Sequence, residues 1–369
     1  MVIPNASPYH LEKQYLREDV AKARVLETGL PLIYANAVGG QDELVFDGAS
    51  FALSKNGQLA LAMPHFKEDL AFIEYKNSDL VKTDITAPSS IEAQVYDALV
   101  LGVKDYLGKN GFPGAIIGLS GGIDSALVLA IAVDALGADK VRAVMMPSRY
   151  TADISWIDAK QMADNLGVQY DEITIAPMVD AFDGALASEF KGLPVDATEE
   201  NIQARVRGTL LMAMSNKSGR IVLTTGNKSE MAVGYCTLYG DMAGGFAVIK
   251  DIAKTLVYRL CHYRNSIAPV IPERILTRAP SAELRPDQKD QDSLPEYDVL
   301  DAILGLYMEQ DESIESIIAK GYLAEDVEKV TRLIKINEYK RRQAPIGVRI
   351  TQRAFGRDWR YPITNKFRA

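Results

Sequence analysis

The sequence predicts an α/β protein: a parallel-sheet α/β/α sandwich preceded by a smaller β-rich segment. Two observations carry this. Between residues 89 and 228, short apolar runs alternate with helical patterns: "GAIIGL", "SALVLAIAVDALG", "VRAVMMPS", "DISWIDAKQMADNLG", "VQYDEITI", "TEENIQARVRGTLLMAMSNKSG" and "RIVLTTG". Apolar strands separated by helices make βαβ units, whose parallel sheets are covered by helices on both faces. Before residue 76 the pattern differs. An amphipathic helix over residues 9–28 stops at Gly29 and is followed by the β-rich runs "LPLIYANAV", "ELVFDGASFALS", "QLALAMPHF" and "DLAFIEY". No helical pattern lies between those runs, so they predict an antiparallel-rich sheet. The polar stretch 76–90, with Pro88, predicts a linker and divides the chain into residues 1–88 and 89–369.

The bulk composition narrows the class of function. The 369 residues are 47% hydrophobic and carry a net charge of −8, which is globular composition and argues against a nucleic-acid partner. No run of about 18 apolar residues predicts a membrane span, and the N-terminus lacks the pattern of a secretory signal. Two cysteines, Cys236 and Cys261, exclude a disulfide framework and fit a reducing cytoplasm. With only His10, His65 and His262, a histidine metal centre is not expected. Lys335 to the end holds ten Lys or Arg against two acids. That stretch is either a solvated face or a patch for the phosphates of a small anionic ligand.

The chemistry concentrates in "IIGLSGGIDSALVLAIAVDAL", residues 116–136. It is the first strand-to-helix connection of the parallel sheet, and ligands of such sheets bind beyond the carboxyl ends of the strands. Gly118, Gly121 and Gly122 let backbone N–H groups close on an anion, and the following helix adds its N-terminal partial charge. Ser120 and Ser125 add hydroxyls. Asp124 would repel phosphate unless a divalent cation lies between them. The plainer reading is a tight turn in which Asp124 or Ser125 caps the helix. A second carboxylate, Glu230, follows the strand that ends near Thr225, Gly226 and Asn227. It can complete a cation site with Asp124 or simply favour its own helix dipole.

"SGGIDS" resembles the pyrophosphate loop of the N-type ATP pyrophosphatases, which cleave ATP between the α and β phosphates. The stretch "LTTGNKSEMAVGYCTLYGDMAGGFAVIKDIAKT" (223–255) resembles NAD synthetase. So do "ENIQARVRG" (200–208), "ILTRAPSAELRPDQKDQDSLPEYDVLD" (275–301) and "EYKRRQAPIGVRIT" (338–351), in the form found in two-domain, glutamine-dependent enzymes. The resemblance covers residue 89 to the end. It implies ATP-dependent amidation of deamido-NAD through a nicotinyl-adenylate, with ATP as substrate and Mg²⁺ as cofactor. Gly118, Leu119, Ser120, Gly121, Gly122, Ile123, Asp124 and Ser125 would hold ATP phosphates, with Thr225, Lys254 and Ser281. Asp124 and Glu230 would hold Mg²⁺. Asn201, Glu230, Tyr235, Cys236, Thr237, Leu238 and Lys340 would lie along deamido-NAD. Leu238 and Ala247 depart from some single-domain relatives, which carry Lys and Asp there, so the substrate contacts at these positions are expected to differ. The resemblance also implies at least a dimer. The polar segment 278–298 is expected to form a lid that excludes water from the adenylate. "NASPYH" and the runs to residue 61 resemble the last part of a nitrilase-type glutaminase domain, whose catalytic Glu, Lys and Cys would precede this stretch. The chain is therefore expected to be a truncated form lacking the glutaminase nucleophile and using ammonia. The alternatives are another pyrophosphatase-loop enzyme, such as GMP synthetase, or an inactive nucleotide-binding subunit.

Overall fold

The computed structural model describes residues 1–83, 85–286 and 288–364. The chain forms two compact units, residues 1–106 with 348–352, and residues 107–347 with the chain from 353 onward.

The first unit contains β1 (Val2–Asn5), α1 (Lys13–Thr28), β2 (Leu32–Asn36), the hairpin β3 (Val38–Gln41) and β4 (Leu44–Asp47), then β5 (Phe51–Leu53) and β6 (Leu59–Ala62). A small hairpin, β7 (Tyr75–Lys76) and β8 (Asp79–Leu80), and helix α2 (Ile91–Asn110) follow; the division between units falls within α2. The main sheet runs β1-β2-β5-β6, with β1 parallel to β2 and the other pairs antiparallel. Ala21 and Val25 of α1 pack on Leu32, Tyr34, Phe51 and Leu53.

Three expectations need correction here. Helix α1 begins at Lys13 rather than near Tyr9. The run at 69–75 is not a strand, apart from its last residue: Leu70 and Phe72 are 79% and 85% exposed, and only Tyr75–Lys76 pairs. The stretch 76–90 is more than a linker. It holds β8, Thr83 N donates to Ala60 O (2.8 Å), and Thr86 N donates to Ala62 O (3.0 Å).

A buried ion pair sits in this unit. Arg17 Nη1 donates to Asp47 Oδ2 at 2.8 Å, and both side chains are at most 3% exposed. His65 Nδ1 lies 3.4 Å from the same oxygen. Burial pushes the Asp47 carboxyl up, but the His65 and Arg17 side chains outweigh burial and hold it below its usual range. Removing one member of a buried pair leaves the other charge uncompensated, so Asp47→Asn should destabilise the chain by ~3–5 kcal/mol. Because the folded pKa is depressed, this stabilisation is present above about pH 4 and is lost as pH falls through the folded value. Urea unfolding should show the wild-type chain more stable than the Asn chain at neutral pH, and the two should converge in acid.

The second unit holds the parallel sheet: β9 (Ala115–Gly118), β10 (Val141–Met145), β11 (Gln169–Glu172), β12 (Ile221–Thr224) and β13 (Phe246–Ala247), in the order β11-β10-β9-β12-β13 with every pair parallel. The crossovers are α3 (Ile123–Leu136), α4 (Asp153–Leu166), α5 (Ala176–Leu186) with α6 (Ala197–Ser218), and α7 (Lys228–Val233). The α/β class matches the expectation. Helix α5 and strand β13 were not foreseen. Helix α3 is apolar on every side because it is buried on every side: residues 126–132 are fully buried. After α8 (Lys254–Ile267) and α9 (Glu273–Thr277) come α10 (Tyr297–Leu304), α11 (Ile314–Ala319), α12 (Ala324–Ile336) and α13 (Glu338–Arg341). Leu300, Ile303, Val327, Val330 and Ile334 share one core with Ala232 and Val233 of α7.

Candidate active site

The carboxyl ends of β9, β10 and β12 open into a cavity of about 320 Å³, the size of a small-molecule site. One side is the loop after β9. Gly121 has φ +79°, and its Cα approaches the Ser155 carbonyl so closely that a Cβ would sit 2.3 Å from that oxygen. Ser125 Oγ donates to Gly122 O (2.9 Å) and accepts from Ser120 N (3.2 Å), which closes the loop on itself. Gly122 is the N-cap of α3, and no side chain caps the helix. The first N–H groups of this 14-residue helix therefore remain available to an anion.

Asp124 does not cap α3. Its Oδ1 accepts from Asn227 Nδ2 (2.9 Å) and its Oδ2 from Lys254 Nζ (2.5 Å). Glu230 serves two ends at once. Its Oε2 accepts from Asn227 N (3.3 Å) while Asn227 Oδ1 accepts from Glu230 N (2.9 Å), a reciprocal cap of α7. Its other oxygen, Oε1, lies 3.4 Å from Lys254 Nζ. Burial and the Asp124 charge push the Glu230 carboxyl well above the usual range. Burial alone would depress Lys254, but Asp124 and Glu230 raise it above its normal value. Lys254 is placed by its own backbone: its N–H donates to Ser229 Oγ (2.9 Å), and Thr255 N donates to Asp301 Oδ2 (2.8 Å) at the start of α8.

The structure gathers Gly118 to Ser125, Thr225, Glu230, Tyr235, Thr237, Lys254 and Ser281 around this one cavity. Asn201, Cys236, Leu238 and Lys340 do not line it. Asn201 Oδ1 accepts from Thr237 Oγ1 (2.7 Å), one side chain removed. Lys340 Nζ donates to Gly234 O (2.7 Å) and Cys236 O (2.8 Å), so it braces the backbone of that loop. Leu238 lines a second, shallower cavity with Tyr239, Met212 and Gln343. Ala247 is buried in β13, where its N–H donates to Ile346 O (2.7 Å).

The segment expected to form a lid borders the cavity. Residues 278–284 and Asp290 line it; Asp287, within the same segment, lies outside the described residues. Arg278 Nη2 donates to Gly121 O (2.8 Å) and Nη1 to Ser155 Oγ (2.7 Å), while Ser155 Oγ donates to Glu283 Oε1 (2.5 Å). Leu284 O accepts from Gln203 Nε2 of α6 (3.0 Å). Helix α6 presents Ala204, Arg207, Gly208 and Leu211 at helical spacing. Gly208 is required for close approach, since a Cβ there would stand 2.7 Å from Gly240 O.

Sequence reasoning missed Asn227, Arg207, Arg278 and Asp290. Arg207 Nε donates to Met146 O (3.0 Å), and burial pushes its guanidinium down to about 10 despite Glu283 nearby. Asn227 carried a local signal, an Asn three residues before Glu230, which is a capping box. The others reach the site through tertiary closure: Arg207 lies within "ENIQARVRG" and Arg278 and Asp290 within the segment expected to form a lid, but no local pattern singled them out there.

An uncapped helix start after a parallel strand, facing two carboxylates and a lysine, fits a site for an anionic ligand in an α/β enzyme. The NAD synthase family profile matches residues 95–344. A glutamine-dependent NAD(+) synthetase of Acinetobacter baylyi is 55% identical over 372 residues, covering 100% of this chain and 69% of that relative. A solved glutamine-dependent NAD+ synthetase from Acinetobacter baumannii, in complex with ADP, superposes with a TM-score of 0.74 at 51% identity, covering 99% of this chain and 68% of that one. A solved NMN synthetase from Francisella tularensis has a TM-score of 0.58 at 28% identity, covering 68% and 96%. The chain belongs to the NAD synthase family and is a ligase that forms a carbon–nitrogen bond. Among the described residues, no helix is long and apolar enough to cross a membrane.

Proposed function

We propose that this chain amidates deamido-NAD to NAD through a nicotinyl-adenylate. The observation that supports this most directly is Lys254 held between Asp124 and Glu230, in a cavity also lined by the uncapped start of α3. The nicotinate carboxylate attacks the α-phosphorus of ATP, and pyrophosphate departs into the loop 118–125. Ammonia then displaces AMP. Lys254 and the α3 N-terminus offset charge growing on the phosphates. The lid keeps water from the adenylate.

Asp124 and Glu230 fit a hard divalent cation: both are oxygen donors that meet at Lys254 Nζ, and burial, with the Asp124 charge second, raises the Glu230 carboxyl. Among the described residues no group of three His, Cys, Asp or Glu could hold a metal ion, so Mg²⁺ would complete its shell with phosphate oxygens and water. When bound, it neutralises phosphate charge.

We assign residues 1–88 to a nitrilase-type glutaminase domain and 89–369 to the synthetase. Within these 369 residues neither cysteine suits a nucleophile. Burial pushes the Cys236 thiol up to about 12, and Cys261 is fully buried. The nitrogen donor for this stretch is ammonia. Assays with ATP, Mg²⁺ and ammonium, offering deamido-NAD, nicotinate mononucleotide or XMP in turn, test the reading. We expect kcat/KM for deamido-NAD at least ~10²-fold above the other two. Absence of pyrophosphate release that depends on deamido-NAD would sink it.

A further inference from the structure

Asp290 lies on the lid segment, is 3% exposed and lines the cavity. Its Oδ2 accepts from Tyr297 Oη at 2.8 Å. Its Oδ1 is buried and has no hydrogen-bond partner. Tyr235 faces the same carboxylate, which adds to burial in pushing its phenol pKa up, but Tyr235 does not reach Oδ1 in hydrogen-bond geometry. Lys254 Nζ stands 5.2 Å from the Tyr297 ring centre, which places Asp290 at the polar end of the cavity. The other end is apolar, with Val144, Met146, Leu211 and Val222.

A buried acceptor without a donor costs ~1–3 kcal/mol, and a ligand can remove that cost by bringing a donor. The polar end receives ATP phosphates and the nicotinate carboxylate, and a carboxylate oxygen repels both. A third metal-ligand role is disfavoured, because no group of three such side chains among the described residues is placed to share an ion. The adenine amino and ribose hydroxyl groups of the two nucleotides are also donors, but at the reacting carboxylate the group that brings N–H donors is the nitrogen nucleophile. We propose that Asp290 Oδ1 binds ammonium and takes its proton; this assignment rests on the amidation reading above. One N–H proton passes to Oδ1, and the freed lone pair forms the C–N bond at the adenylate carbonyl. The C–O bond to AMP then breaks, its electron pair leaving on the AMP phosphate, and the nitrogen releases its surplus proton to solvent. Tyr297 holds the other carboxylate oxygen, so the Oδ1 lone pairs keep one direction.

The test separates the two half-reactions in the full chain. Deamido-NAD-dependent exchange of pyrophosphate into ATP reports adenylylation, and NAD formed against ammonium concentration reports amidation. For Asp290→Asn, exchange should stay within about threefold of wild type, while kcat/KM for ammonium falls by ~10²-fold or more. Hydroxylamine, neutral at the assay pH, needs no proton removed before attack and should restore product formation to within about tenfold of wild type. Asp290→Ser is made alongside in case the asparagine misfolds. Equal losses in exchange and amidation with both variants, or an unchanged ammonium dependence, overturn the assignment. Absence of exchange in the wild type would instead overturn the reading on which it rests.

Discussion

Replacing Asp124 with asparagine lowers the rate of pyrophosphate release by at least ~10²-fold, the scale of losing one preorganised electrostatic group at a reacting phosphate. The side chain's part in the fold is confined to the pair with Lys254 and the bond from Asn227, so thermal unfolding separates that loss from the loss of turnover. It does not cap α3, and both its oxygens point across the site, one to Asn227 and one to Lys254. Asparagine keeps the shape and an acceptor for Asn227 but removes the charge. Lys254, 2% exposed, is then left with Glu230 at 3.4 Å as its carboxylate partner. Breaking one partner from a buried pair is strongly destabilising, ~3–5 kcal/mol at full burial. Asp124 is 17% exposed, so the loss should fall at the lower end of that range. Asp124→Ala should lose more, because Asn227 also loses its acceptor. Pyrophosphate release and thermal unfolding of both variants check this. An Asn variant retaining a tenth of wild-type turnover would remove Asp124 from the phosphate chemistry.

The legibility of the site follows the range of the interactions that build it. The loop 118–125 was readable because its signal is local: an apolar strand, two glycines and an apolar helix follow one another without a gap. Glu230 supported two readings, helix-start acid and second carboxylate of a cation site; one oxygen makes the helix-start cap, and the other lies 3.4 Å from Lys254. Lys340 shows the reverse. A lysine in a resembling motif reads as a substrate contact, yet its ammonium is taken by two backbone carbonyls. Arg278 meets Gly121 and Ser155 from more than a hundred residues away, and Asp290 has one near partner, Tyr297, seven residues on, a spacing that matches no helix or strand period. The first unit misled in the same way. The run from Leu70 to Tyr75 has the apolar content of a strand, but strand formation needs a partner edge, and here only its last residue pairs. Strand β13 spans two residues, too few to show a period of two.

Gly121→Ala should destabilise the chain and disable it together. The residue sits at φ +79°, which costs an alanine ~1–2 kcal/mol. The added Cβ would also stand 2.3 Å from Ser155 O, 2.9 Å from its carbonyl carbon and 2.9 Å from its Cα. All three are backbone atoms, so no rotamer change relieves the overlap, and either the loop or the start of α4 must move. Overpacking of this kind adds ~1–3 kcal/mol. The Gly121 carbonyl is also the acceptor for Arg278 on the lid, so a displaced loop loosens the cover as well as the cradle. A shift of about 1 Å at such a site lowers turnover by ~10²-fold. Gly122→Ala is the control within the same loop. Its φ is −92°, and its Cβ would meet only the Ser120 hydroxyl, at 3.3 Å. It should unfold with the wild-type midpoint, whereas Gly121→Ala should unfold several degrees lower. Equal midpoints for the two variants would show that the loop is not built on the close approach of Gly121 to α4.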